Sequence, residues 1–199
     1  MTLAGSASAQ GGAQSSSLAI WHWGSVVADI DAAIADWYRL GAVAHSPVGR
    51  IETHTYDAER RQVYPETLDV AWVRLGRNAG VVELICPVES DSDAPQKRLL
   101  AARPALTHSA LWCDDLIQDA STMLAQGAEL VIAPLLGADH AAAALAASDA
   151  QALLAHAQTC YLRLPSGQLI ELNPRTAYPF LPSIWSDAVH RIIDPPPSA

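Results

Sequence analysis

The chain has 199 residues, half of them hydrophobic and 17% charged, a composition that suits a globular protein with a sizeable core. Its 12 Lys and Arg against 21 Asp and Glu leave a net charge of −9, which would repel phosphate backbones, so no nucleic-acid partner is expected. No apolar run reaches the ~18 residues of a membrane-spanning helix, so no membrane is expected either.

Residues 1–17, rich in Ala, Gly, Ser and Gln and free of Lys and Arg, lack the basic start and apolar stretch of a secretory signal. They read as a flexible tail, and the protein as cytoplasmic. Beyond them the chain repeats itself. Trp21-His22-Trp23-Gly24-Ser25-Val26-Val27 begins a segment that ends in a helical stretch and Leu40-Gly41-Ala42; Thr107-His108-Ser109-Ala110-Leu111-Trp112-Cys113 begins another that ends in Gln126-Gly127-Ala128. The same interval of 86 positions separates His22 from His108 and Gly41 from Gly127.

Each copy reads as a strand followed by acidic residues, Asp29 and Asp31 or Asp114 and Asp115, where a helix N-terminus favours negative charge. Ile30, Ala33, Ile34 and Trp37 then recur at helical spacing, as do Leu116, Ala120, Met123 and Leu124, and Gly41 and Gly127 stand as C-terminal caps. Further on, a strand is expected near Val43–Val48, a loop over Arg50–Thr67 and a strand over Asp69–Leu75. Each copy then closes on a hairpin whose last strand carries a central glutamate and a stopping proline: Val81–Pro87 with Glu83, and Leu169–Pro174 with Glu171. The expected organisation is α+β, two βαβββ modules in residues 18–90 and 105–175. A linker over 91–104 holds a short helix over Gln96–Ala102. An Ala-rich helical insert spans 137–157, and a C-terminal extension over 176–199 carries Tyr178, Phe180 and Trp185. Cys86, Cys113 and Cys160 form an odd set without C-x-x-C spacing and read as core residues in a reducing compartment.

Strand alternation puts Ile20, His22, Gly24 and Val26 on one face, with Trp21, Trp23 and Ser25 on the other. Leu106, His108, Ala110 and Trp112 likewise share a face, Glu83 lies with Val81 and Ile85, and Glu171 with Leu169 and Asn173. If the copies pack as pseudo-equivalents, His22, Glu83, His108 and Glu171 meet on one concave sheet face. Two nitrogen and two oxygen donors suit one divalent metal ion, Ni, Co, Mn, Zn or Fe, with open positions for a small-molecule substrate bearing adjacent oxygens. A single strand histidine is more often a hydrogen-bonded core residue and a single strand glutamate a solvated one. Four at repeat-equivalent positions among apolar neighbours reverse that balance, because unpaired buried carboxylates are costly.

These motifs, together with Val82-Glu83-Leu84-Ile85-Cys86-Pro87 and Leu162-Arg163-Leu164-Pro165-Ser166-Gly167-Gln168-Leu169-Ile170-Glu171-Leu172, resemble the vicinal oxygen chelate superfamily over residues 18–174. That superfamily holds glyoxalase I, methylmalonyl-CoA epimerase, extradiol dioxygenases and the bleomycin- and fosfomycin-resistance proteins. The resemblance implies a cup-shaped mixed sheet and places the metal-ligand positions on His22, Glu83, His108 and Glu171. A His/Glu/His/Glu set resembles bacterial glyoxalase I most and the epimerase next, which implies an isomerase, epimerase or lyase that abstracts a proton alpha to a carbonyl and stabilises an enediolate with the metal. Glu171 is then the first candidate base. Glu66, in Tyr64-Pro65-Glu66-Thr67, resembles the Pro-Glu of the epimerases and is the second, set against a plain solvated loop glutamate; the match departs at Thr67-Leu68.

Two alternatives stand beside this reading: an Fe²⁺ ring-cleaving dioxygenase using His22, His108 and Glu171, and a metal-free small-molecule-binding protein. His45, His54, His140, His156 and His190 read as surface residues, Arg60, Arg61 and Arg74 as rim residues, and Trp72 and Trp112 as core or cavity wall. Repeat symmetry allows the four donors to come from one chain or from swapped modules of a homodimer.

Overall fold

The computed structural model describes residues 19–76, 80–102 and 107–175. The expected N-terminal tail, Leu106, the aromatic C-terminal extension and His190 lie outside the described residues. The elements run β1 (Ala19–Val26), α1 (Ile30–Arg39), β2 (Ala42–His45), β3 (Gly49–Asp57), β4 (Gln62–Leu75), β5 (Val81–Ser90) and α2 (Pro95–Ala101), then β6 (His108–Cys113), α3 (Leu116–Ala125) and β7 (Glu129–Pro134). A short 3-10 turn (Ala138–His140), α4 (Ala141–Ala146) and α5 (Ala150–Leu154) follow, and β8 (Cys160–Arg163) and β9 (Leu169–Pro174) close the chain.

The helices obey the repeat. The Asp29 carboxylate accepts the Ala32 N–H at the start of α1, and Asp115 accepts that of Gln118 at the start of α3. Gly41 (φ 102°) and Gly127 (φ 91°) turn the chain out of each helix in the left-handed region. The apolar stripe of α1, Ile30 and Ile34, packs on Val73, Val82 and Leu84 of the sheet's outer face. Leu116 and Ala120 of α3 pack on Cys160, Leu162 and Leu172, where Leu153 and Leu154 of α5 join them. The three cysteines are buried and free.

The strands form one mixed sheet that closes on itself as a deep cup. β1 pairs parallel with β5 and antiparallel with β6, and β6 pairs parallel with β9. On one side β5 continues antiparallel to β4 and β3; on the other, β9 continues to β8 and β7. A short seam, Thr55–Asp57 against Ile132–Pro134, joins β3 to β7 and completes the ring. No helix among the described residues is long and apolar enough to cross a membrane.

Two expectations need correction. The stretch expected as a loop over Arg50–Thr67 is a hairpin: β3 and β4 pair without interruption from Gly49↔Val70 to Asp57↔Gln62. Charged residues at Arg50, Glu52 and Glu59 mask a period-two pattern in which Ile51, Thr53 and Thr55 face inward. Ser46–Val48 merely breaks one long strand into β2 and β3, both paired to β4. Glu66 is therefore a buried strand residue, 2% exposed, and not a solvated loop glutamate. The second correction concerns Trp21. The β1–β6 register shifts between Ile20↔Leu111 and His22↔Ala110, a bulge that leaves Trp21 as the extra residue. Ile20 turns out to solvent, 63% exposed, while Trp21 turns in beside His22.

Candidate metal centre

The register across the cup floor explains how four side chains meet. Gly24 of β1 sits between Glu83 of β5 and His108 of β6; Ala110 of β6 sits between His22 of β1 and Glu171 of β9. The two rows are related by a local two-fold axis between Trp23 and Ser109. The middle residue of each row is small, so the flanking side chains lean over it. At Gly24 the requirement is strict: a Cβ there would lie 1.8–2.5 Å from three atoms of the His108 ring.

The result is a compact cluster of buried donors. His22 Nε2 lies 3.3 Å from Glu83 Oε2 and 3.7 Å from Glu171 Oε2; His108 Nε2 lies 3.4 Å from Glu171 Oε2 and 3.7 Å from Glu83 Oε2. One donor atom from each residue falls within 4.8 Å of all the others, and all four side chains come from a single chain. Two donors each about 2.1 Å from one ion lie about 3.0–3.5 Å apart; the 3.3 and 3.4 Å spacings fall in that range, and the two of 3.7 Å need only a small inward shift to share a first-row ion. Both imidazole Nε2 atoms and Glu171 Oε2 are buried without a hydrogen-bond partner, the condition a missing shared ligand would relieve.

Neighbouring groups prepare these donors. Thr107 Oγ1 donates to the Gly24 carbonyl (3.0 Å) and so accepts from His108 Nδ1–H (3.1 Å), which leaves the Nε2 lone pair of neutral His108 aimed at the carboxylates. His22 is set by packing, edge-on to Trp21 (4.3 Å) and Trp72 (4.7 Å). Burial disfavours the His108 imidazolium, but the Glu171 and Glu83 carboxylates, 3.4 and 3.7 Å from Nε2, outweigh it and raise its pKa to about 9. Burial likewise pushes Glu83 up, and His108 and His22 outweigh it, bringing its pKa down to about 2. Tyr161 stands directly across the β8–β9 pair from Glu171; burial, then the charges of Glu171 and Glu83, raise the phenol well above its usual range.

Glu66 is not part of this cluster. Its Oε1 accepts the Gln96 N–H (3.0 Å) and its Oε2 has no partner. Burial raises its pKa, against hydrogen bonds from Thr55 and Gln96. Thr55 and Gln96 line the cavity of about 390 Å³ that opens above His22, Glu83 and Glu171, whereas Glu66 lines the adjoining groove, which shares Glu52, Thr53 and His54 with that cavity. Trp72 lines the same cavity, whereas Trp112 stacks on Trp21 (4.1 Å). His45 bonds Tyr38, His54 lies on β3, and His140 pairs with His156 (3.1 Å between Nδ1 atoms), all apart from the cluster. Arg60 pairs with Asp57 in the β3–β4 turn.

Sequence reasoning overlooked Gly24 and Ala110 as spacers, Thr107 and Tyr161 as supports, and Gln96, which stood in an apparent linker. The His-x-Gly and His-x-Ala of the two copies are the signal that marks the spacers; nothing in the linker marks Gln96.

With this architecture in view, the comparisons with known proteins agree. Residues 21–144 match the model of the Glyoxalase/Bleomycin resistance protein/Dioxygenase superfamily, and the chain belongs to that superfamily. Among solved structures, a methylmalonyl-CoA epimerase from Mycobacterium tuberculosis is 21% identical, covering 78% of this chain and 87% of that one, with a TM-score of 0.43. A hypothetical protein from Bacillus halodurans C-125 is 16% identical over 80% and 95% of the two chains, with a TM-score of 0.47. A variant 4-hydroxymandelate synthase from Streptomyces coelicolor is 14% identical over 78% and 48%, with a TM-score of 0.46. Comparison with curated proteins finds no significant match.

Proposed function

We propose that the protein is a divalent-metal-dependent isomerase, epimerase or lyase that removes a proton alpha to a carbonyl of a small molecule with adjacent oxygens. The convergence of four buried donor atoms, from His22, Glu83, His108 and Glu171, carries this reading. A divalent ion held there supplies Lewis acidity toward the substrate carbonyl, easing C–H ionisation by about several kcal/mol. Glu171 is the residue to accept the proton: it lines the cavity, and its Oε2 is buried without a hydrogen-bond partner. Glu66 is the second proton carrier in this reading. Burial favours its neutral carboxyl form, and its Oε2 has no other partner.

The same geometry favours proton transfer over ring cleavage. Glu83 approaches the imidazoles as closely as Glu171 does, so the donor set is four, whereas the ring-cleaving chemistry needs two histidines, one carboxylate and open positions. Three unpartnered buried atoms pointing at one another also argue against a metal-free binding module. Because one chain supplies all four donors, a homodimer is not needed to complete the centre.

Elemental analysis of protein purified anaerobically without chelator tests the reading. About one Ni, Co, Mn or Zn per chain is expected. About one Fe together with catechol-dependent oxygen uptake would transfer the assignment to the dioxygenase. No metal even after reconstitution would sink it.

A further inference from the structure

The cavity above the cluster is compact and mostly apolar, walled by Ile51, Leu68, Val70, Ile85 and Leu135 besides Trp21 and Trp72. No Lys or Arg among the described residues lines it. It opens beside a groove that shares Glu52, Thr53 and His54 with it and adds Glu89 and Asp91, again without a Lys or Arg. Glu52, Glu89 and Asp91 are exposed. Arg50, two positions before Glu52 on β3, is held bidentate by Asp69 at 2.8 and 3.0 Å, and Arg98 is held by buried Asp57. The approach to the centre is therefore negative, on a chain of net charge −9. Among the described residues, a phosphate or carboxylate handle would meet these carboxylates and no Lys or Arg in the lining, where His54 is the one basic side chain besides His22.

The polar atoms that remain are neutral. Gln96 (3% exposed) and Asn173 (7% exposed) both line the cavity, and Gln96 Oε1 and Asn173 Nδ2 are buried with no hydrogen-bond partner. Trp21 Nε1–H, in the same wall, is also unpartnered. Such atoms are costly to leave unmade, and hydroxyl or carbonyl groups of a ligand would satisfy them. Gln96 is firmly placed: its own N–H bonds Glu66, and two residues on, the Arg98–Asp57 ion pair ties α2 to the end of β3.

Resting on the metal-centre reading, we propose that the substrate is a compact, uncharged molecule carrying no anionic carrier group, and that Gln96 and Asn173 recognise its neutral polar groups away from the metal. The acidic lining of the described approach disfavours a coenzyme A thioester or a glutathione adduct. Specificity in this protein then resides in α2, the end of β9 and the β3–β4 hairpin, outside the four-residue cluster.

The test titrates three probes into the metal-loaded and the metal-stripped full chain, followed by calorimetry at about 20 and about 200 mM salt. The probes are 1-phenyl-1,2-propanedione, methylmalonyl-CoA, and the hemithioacetal of methylglyoxal and glutathione. The dione is expected to bind at least about tenfold more tightly than either anion, with the gap narrowing at the higher salt and in the exposed double variant Glu52→Gln/Glu89→Gln. Gln96→Leu is expected to weaken the 4-hydroxyphenyl analogue of the dione about tenfold relative to the parent dione. An anion that binds as tightly as the dione, or a gap indifferent to both salt and the double variant, overturns the proposal. Failure of the metal reading looks different: the dione would then bind equally with and without metal while the preference against anions stands.

Discussion

The two halves of the cup contribute identical donors and support them differently. In the first half His22 is wedged between tryptophans and its Nδ1 has no hydrogen-bond partner, while Glu83 lies across the β4–β5 pair from Trp72. In the second half His108 Nδ1 is tied through Thr107 to the Gly24 carbonyl, and Glu171 lies across the β8–β9 pair from Tyr161. The repeat thus preserves the His/Glu pairs, while the residues packed around them have diverged. On the proposed function, the second half is the one prepared for proton chemistry and the first a packed anchor.

The sharpest way to break that comparison is to change the two carboxylates alike. Glu171→Gln and Glu83→Gln each keep an oxygen donor, so both variants are expected to retain metal. Exchange of a substrate's alpha proton into D₂O should fall by about 10³-fold in Glu171→Gln, the loss typical of a general base, and by under about tenfold in Glu83→Gln. Equal losses would mean that the halves are chemically equivalent after all. Next in size is the spacer. Gly24→Ala drives the His108 ring from its position and should weaken Co²⁺ binding by about 100-fold, a loss typical of disturbed ligand support, whereas Ala110→Gly opens space and should stay within about tenfold. The Co²⁺ absorption spectrum reads both.

Protonation sharpens the comparison further. His108 has its folded pKa raised to about 9 from 6.5, so the metal-free fold holds a proton that the unfolded chain releases earlier. The resulting stabilisation is complete below about pH 6.5 and disappears as the pH rises through about 9. A metal must displace that proton, so apparent Co²⁺ affinity should climb by up to about tenfold per pH unit between pH 7 and 9 and then level off. Competition with a chromophoric chelator across that range measures it. A flat profile would show that His108 is neutral before the metal arrives. Thr107→Val removes the acceptor of the Nδ1–H and should cost about tenfold in affinity, with Thr107→Ser restoring it.

How much of this was legible in the sequence depended on whether a feature is carried by residue identity or by register. The histidines, the capping aspartates and the glycines after the helices recur at an interval of 86 positions and the two glutamates at 88, so the duplicated strand–helix pattern and the four candidate residues stand out in the sequence. The β3–β4 hairpin could not, because it has one solvated face, and Arg50, Glu52 and Glu59 make it look like loop. Trp21 was assigned to the wrong face because strict alternation fails at a bulge, and only the shifted pairing with Leu111 and Ala110 exposes it. Gln96 carries no local mark at all; its relevance comes from α2 packing beside Glu66 across the closed cup.

The smallest expected effect tests whether the halves remain equivalent away from the centre. Asp29 and Asp115 occupy the same helix start, accept the same third-residue N–H at 2.9 and 3.0 Å, and both are exposed. An alanine at either position leaves one orphan donor at a solvated helix terminus, which typically costs about 1 kcal/mol. Asp29→Ala and Asp115→Ala should therefore shift a urea unfolding midpoint by similar amounts and leave metal affinity unchanged, since neither carboxylate belongs to the cluster. A much larger loss for Asp115→Ala would have a specific meaning. α3 shares its buried face with α5 of the insert, so the inserted helices would then depend on the α3 cap, and the asymmetry of the metal centre would extend into the outer layer of the second half.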